Sequence, residues 1–157
     1  MQHYQTFVAL HIIFAGMWLI FFAADIIIKN KITKAVNHEV KNELISLYLQ
    51  LTNLFGIVGA IGIAVTGIIL VMQNPGYGFF DMSHAHWLAT KQIILVIILI
   101  LTFAKLIPDS KKLRVSLTGS NSELISVNLK KVFNTNMIIN SLVLLNFLFA
   151  ITHRFYS

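Results

Sequence analysis

Ile93-Ile94-Leu95-Val96-Ile97-Ile98-Leu99-Ile100-Leu101 is an unbroken aliphatic run with no polar residue at any second position. A transmembrane β-strand alternates apolar and polar residues over about ten positions, so a run that is apolar all round reads as a helix in lipid or in a protein interior. Followed outward until polar residues intervene, it becomes a span of roughly 86–107. Three more stretches have the same character, at roughly 4–28, 52–72 and 132–152. At a rise of ~1.5 Å per residue each can cross a hydrocarbon core ~30 Å thick. The composition agrees, with 57% apolar residues, 11% charged residues and a mean hydropathy of +0.77. A soluble domain carries about 25% charged residues. The expected fold is all-α, an integral membrane four-helix bundle, with residues 1–157 forming a single transmembrane domain.

Nothing basic precedes the first span, and its apolar run is longer than the core of a signal peptide, so it reads as a retained helix. Short cytoplasmic loops accumulate Lys and Arg. Lys29, Lys31, Lys34 and Lys41 follow span 1, and Lys105, Lys111, Lys112, Arg114, Lys130 and Lys131 follow span 3. The opposite side offers Arg154. Both termini and the 74–85 loop are therefore expected outside and the basic loops in the cytoplasm, as in a bacterial-type inner membrane. The net charge of +6 then belongs to a surface facing anionic lipid, and the expected partner is the bilayer, not nucleic acid. With no cysteine in the chain, disulfides, iron–sulfur ligation and thiolate chemistry are excluded.

Asn74-Pro75-Gly76-Tyr77-Gly78 predicts a turn after span 2. Tyr4, Tyr77, Phe79, Phe80 and Trp87 would form an interfacial aromatic belt around it. On the basic side, 34–51 reads as a helical extension of span 2 carrying Glu39 and Glu43 on one face. The segment 108–129 reads as a loop, broken at Thr118-Gly119-Ser120-Asn121-Ser122, with a short surface helix at 123–131 leading into span 4.

Five histidines collect at the outer end of these spans: His3, His11, His84, His86 and His153. Imidazole is the commonest protein ligand for metals, so this clustering sets the functional question. Depth refines it. At helical rise His11 lies about 10 Å below the outer boundary, Lys91 about 7 Å and Asn146 about 10 Å. Three helices thus bring polar groups to one level, where ionisable side chains face the bundle interior or snorkel out. Tyr4, His11, Trp18 and Asp25 recur every seven residues and share a face of span 1. Span 2 supplies Gly56, Gly59, Ala60, Gly62, Ala64 and Gly67, small residues that permit close helix packing or leave room for a flat macrocycle. Each feature also has a purely structural use. His11 can hydrogen-bond Asn146 or a backbone carbonyl, Lys91 can snorkel past Trp87, and Asp25 can pair with Lys29 one turn on.

The pattern Leu10-His11, six residues, Trp18, together with Trp87-Leu88, two residues, Lys91 and the glycine-containing stretch Gly62–Leu70, resembles the HemJ-type protoporphyrinogen oxidase family. The wider group that includes CopD-like copper-resistance domains has a similar layout. The likeness covers spans 1 to 3. It implies a b-type haem with His11 as an axial ligand, Lys91 meeting a propionate carboxylate, and oxidation of a porphyrinogen-like substrate; Trp18, on the His11 face of span 1, and Asn146, at the depth of His11, are the further candidates for the cofactor site. The chain departs from the family's pattern at 25–29 and at Phe103-Ala104-Lys105. A second axial ligand would come from His153, reaching down past Asn146, or from His84 or His86 in the loop.

Three readings remain open on sequence. The first is a haem b protein with a redox or electron-transfer role. The second is an accessory subunit whose glycine-rich span 2 and asparagine-bearing span 4 (Asn134, Asn136, Asn140, Asn146) dock on partner helices in a homo-oligomer or a larger membrane complex. The third is copper handling by His3, His84, His86 and Met82.

Overall fold

The computed structural model describes residues 2–119 and 121–152. Its elements in order are α1 (Gln2–Lys34), α2 (His38–Met72), α3 (His86–Leu101), a π-helical turn (Thr102–Leu106), α4 (Ile107–Thr118) and α5 (Ser122–Thr152). No strand occurs among the described residues. Four helical rods, of which α3 and α4 form one, are long and apolar enough to cross a membrane. The chain is a multi-pass membrane protein by that criterion. His153 as a ligand, Arg154 in the charge balance and the two chain ends lie outside the described residues.

The helices overrun the expected spans at the basic end. α1 and α2, with 33 and 35 residues, are each about 50 Å long, against ~30 Å of hydrocarbon. The extension before span 2 is the first half of α2 itself, begun by Asn37, whose side-chain oxygen accepts from the N–H groups of Glu39 and Val40. The surface helix expected before span 4 is likewise the opening of α5, started by Asn121 accepting from Glu123 and Leu124. The loop expected from 108 is a correction: 107–118 is helical. Pro108 brings no N–H and its ring crowds the carbonyl four residues back, so an ordinary α-helix would break there. The chain widens instead, and Ile107 N–H bonds to Thr102 O five residues earlier. That single π-turn absorbs the proline and lets the rod run on.

Around the bundle α1 packs along α2, α5 against α1 and α3, and α4 against α5 and the basic half of α2. α2 and α3 hardly meet. The core runs along the axis through Trp18 and Phe21 of α1, Tyr48 and Leu49 of α2, Ile98 of α3, Leu113 of α4, and Val132 and Ile139 of α5. Lipid is as apolar as these side chains, so close packing and buried polar bonds hold the helices together more than water exclusion does.

One such polar cluster ties three helices at the basic end. The Asp25 carboxylate, 3% exposed, accepts from the Tyr48 hydroxyl at 2.7 Å and the Asn136 amide at 2.8 Å. Its second oxygen pairs with Lys29 Nζ at 2.8 Å, as the i,i+4 spacing suggested. The Lys29 ammonium also donates to Phe133 O at 3.2 Å and lies 5.2 Å from the Phe133 ring centroid. Asn136 and Asn140, offered on sequence as docking groups for partner helices, are 2% and 1% exposed inside this chain. They are therefore withdrawn from any partner surface, while Asn134 is exposed.

Candidate functional site

At the loop end, the gap between α2 and α3 becomes a cavity of about 480 Å³. A second cavity of about 420 Å³ lies between α1, α3 and α5. They share His11, Ile63, Lys91, Leu95 and Asn146 as a common wall. Among the lining residues Ile68 of α2 and Val96 of α3 are exposed at the first, and Ile12 of α1 and Ala150 of α5 at the second. His11, Lys91 and Asn146, placed at one depth by counting residues, thus meet in one chamber made of the two adjoining cavities. Trp18 lines the second cavity and is 2% exposed.

His11 is held by a residue that sequence reading passed over. Thr66 Oγ1 lies 2.6 Å from Gly62 O, one helical turn back, and 2.8 Å from His11 Nδ1. A hydroxyl has one hydrogen. Given to the Gly62 carbonyl, it leaves the oxygen to accept from Nδ1–H, which places the imidazole proton on Nδ1 and the lone pair on Nε2. A metal-ligating histidine is oriented in this way, by a hydrogen bond on its other nitrogen. The signal available in the sequence was a lone threonine in the outer half of a glycine-rich span. Its significance depends on the register between α1 and α2.

The glycines of α2 divide by use. A Cβ on Gly67 would sit 3.5 Å from His11 Cε1, so the imidazole edge rests on this position at the cavity wall. Gly59 lies under the Trp18 ring. Gly62 faces Phe14 so closely that a Cβ there would stand inside the ring, against its root atom as well as its edge. Turning the ring about χ2 leaves its root atom in place, so Phe14 must leave its χ1 rotamer or α1 and α2 must separate. Gly62→Val is expected to destabilise the protein by about 1–3 kcal/mol, the range for overpacking, and to loosen the His11–Thr66 bond one turn away. Thermal unfolding in detergent, compared with Gly56→Val, checks it, because nothing lies within 4 Å of a Cβ on Gly56.

Lys91 is the charged member of the wall. Its ammonium stands 5.7 Å from the Trp87 ring centroid, and among the described residues the ion pairs are Lys29–Asp25 and His84–Asp81. Among the described residues no carboxylate neutralises Lys91. Asn146 Nδ2 reaches the Lys91 carbonyl at 3.5 Å, a long bond, and the expected alternative of His11 bonding Asn146 is replaced by the Thr66 contact.

The aromatic residues read as a belt line the mouth of the first cavity: Tyr4, Tyr77, Phe79, Phe80 and Trp87. Tyr77 and Trp87 meet edge to face at 5.9 Å. Phe80 has φ 55, a left-handed conformation that bulky residues rarely adopt. Its N–H is held at 2.6 Å by Gln92 Oε1, from the residue beside Lys91, so the loop is pinned to the wall of the chamber. The next turn is built on Asp81. The Ser83 hydroxyl first, then the N–H groups of Ser83 and His84, hold its carboxyl well below the usual carboxylate range.

The loop histidines do not join the chamber. His84 is exposed, with Nδ1 within 3.1 Å of Asp81 Oδ2 and 2.8 Å of Ser83 Oγ. His86 is exposed at the start of α3, and His3 is exposed on α1. Neither His84 nor His86 lines either cavity, and among the described residues no three His, Cys, Asp or Glu side chains converge on a metal-sized site. A scan against protein-family models and searches of the curated proteins and the solved structures return no match.

Proposed function

We propose that the chain is a membrane b-type haem protein with a redox or electron-transfer role, and that the larger crevice, between α2 and α3, receives the porphyrin. The observation that carries this is the state of His11. Its Nδ1 is occupied by Thr66 and its Nε2 lone pair remains for iron, on a wall that also carries an unneutralised lysine. A cavity of about 480 Å³ is within the ~300–1,000 Å³ range of ligand sites. Its walls are apolar, and Gly67 and Ala64 keep the α2 side low. His11 would hold the iron, Lys91 a propionate carboxylate, and Asn146 and Trp18 would line the far side of the partition. The haem would supply one-electron chemistry, and the absence of cysteine leaves nitrogen, oxygen or methionine sulfur as the other ligating atoms. What the protein contributes is orientation of the imidazole, a cation at carboxylate height, and exclusion of bulk water by the aromatic mouth.

The likeness to HemJ-type proteins supports the same reading and adds a porphyrinogen-like substrate as its enzymatic form. The basic end carries Lys31, Lys34, Lys41, Lys111, Lys112, Arg114, Lys130 and Lys131, which favours a cytoplasmic placement in a bacterial-type inner membrane. The chamber then opens in the outer half of the bilayer, with the termini outside. Copper is less well served, since His84 is engaged with Asp81 and Ser83.

An absorption spectrum of the detergent-purified protein, oxidised in air and then reduced with dithionite, tests the proposal. A Soret band that shifts on reduction, with b-type α and β bands, is the expected result. A flat visible spectrum from pure protein expressed with added haem overturns it.

A further inference from the structure

The second crevice is accounted for by no part of the haem reading, and it shares with the first the one cation of the chamber. We infer that it admits a single-chain lipid carboxylate from the bilayer, whose head ion-pairs with Lys91. Three observations combine. Of the lining residues Ile12 of α1 and Ala150 of α5 are exposed, on helices of membrane-spanning length, so a ligand would enter from lipid. The lining behind them is aliphatic, with Ala15 and Gly16 lowering the α1 side enough for a chain to lie against the helix. Lys91 lines the cavity, with no acidic partner among the described residues. Beside it is the Asn146 amide, whose 3.5 Å bond to the Lys91 carbonyl is weak enough to yield.

The ammonium presents donors only, and the ligand that answers it is an acceptor-only anion; the Asn146 amide beside it can add an N–H. Depth selects the kind of anion. Lys91 is five residues inside α3, about 7 Å below its first residue. A phosphodiester anchored among the headgroups stands above that level, whereas the carboxylate of a single-chain fatty acid is free to sink to it. The inference requires the chamber and Lys91 but no bound porphyrin. Where a porphyrin is present, its carboxylate and the fatty acid compete for the same ammonium.

The chain's two tryptophans make the test direct, because Trp18 lines the second crevice and Trp87 the first. Trp87→Phe protein in phosphatidylcholine vesicles leaves Trp18 as the sole tryptophan emitter, buried away from bulk lipid. Titration with 9,10-dibromostearate is expected to quench Trp18 saturably. The apparent affinity should fall about tenfold or more in a Lys91→Met background, the scale of a lost charge-assisted hydrogen bond, and return in Lys91→Arg, which also guards against a folding failure in the first variant. Dibromostearyl alcohol and a brominated phosphatidylglycerol should not quench Trp18 beyond a brominated phosphatidylcholine control. The inference is overturned if quenching does not saturate, if the alcohol or the phosphatidylglycerol matches the acid, or if Lys91→Met binds as wild type does. The visible spectrum reports separately on the haem, so the two readings fail independently.

Discussion

His11→Ala protein is expected to purify without a Soret band, whatever haem is supplied during expression, while keeping the helical content of the wild type. The imidazole makes one polar contact, with Thr66, and is half-buried at a cavity wall. Its removal therefore costs the fold little and the cofactor site its ligand. Thr66→Val separates ligation from orientation. It keeps the shape of the side chain and leaves Nε2 in place, but removes the acceptor that fixes the Nδ1–H tautomer. Haem affinity should fall by about 10- to 100-fold, the usual effect of losing a hydrogen bond behind a metal ligand. Thr66→Ser should restore most of it, since the hydroxyl to Gly62 O and the acceptor for His11 both survive. Titration of haem into apoprotein, followed at the Soret maximum, measures all three. A His11→Ala protein that retains a normal reduced spectrum would remove His11 from the site.

The largest loss of stability is expected from Asp25→Leu. The carboxylate accepts from Tyr48 and Asn136 and pairs with Lys29 in a region almost closed to solvent. Deleting it leaves a partly buried ammonium without its counter-charge, and takes from the Tyr48 hydroxyl its acceptor and from the Asn136 amide one of its two, the bond between them at 2.8 Å remaining. Removing one partner of a buried pair costs about 3–5 kcal/mol, or roughly 10 °C in melting temperature for a chain of this size. Asp25→Asn should cost less than half as much, because its amide oxygen still accepts from Tyr48 and Asn136 while the ion pair alone is lost. Lys29 is 18% exposed and can turn its head to water, so Lys29→Met should be milder than Asp25→Leu. Melting curves in one detergent rank the three. Equal stability of Asp25→Leu and wild type would show that the cluster does not bind α1, α2 and α5 together.

Much of the arrangement was legible in residue order because it follows from local physics. Aliphatic runs locate the helices, a rise of ~1.5 Å per residue sets His11, Lys91 and Asn146 at one depth, and a four-residue interval gives the Asp25–Lys29 pair. Pro108 misled for an equally local reason. Proline ordinarily ends a helix, and the π-turn that carries the chain past it is stabilised by what α4 packs against, Leu113 being fully buried among α2 and α5. The aromatic residues read as an interfacial belt have a further neighbour that residue order does not show. They line a cavity mouth, because α2 and α3 diverge there.

What residue order determined by itself is the class of the protein, its four membrane-length helices and the level of its polar groups, all of which depend on side-chain transfer energies and helix repeat along one strand of chain. Tertiary structure alone decided the partners. Thr66 against His11, Tyr48 and Asn136 on Asp25, Gly62 under Phe14, and a lysine left without an acid each require the rotation and register of one helix against another. Those are set by how side chains interlock across the whole bundle, and a shift of one residue in any helix turns the same groups to a different face.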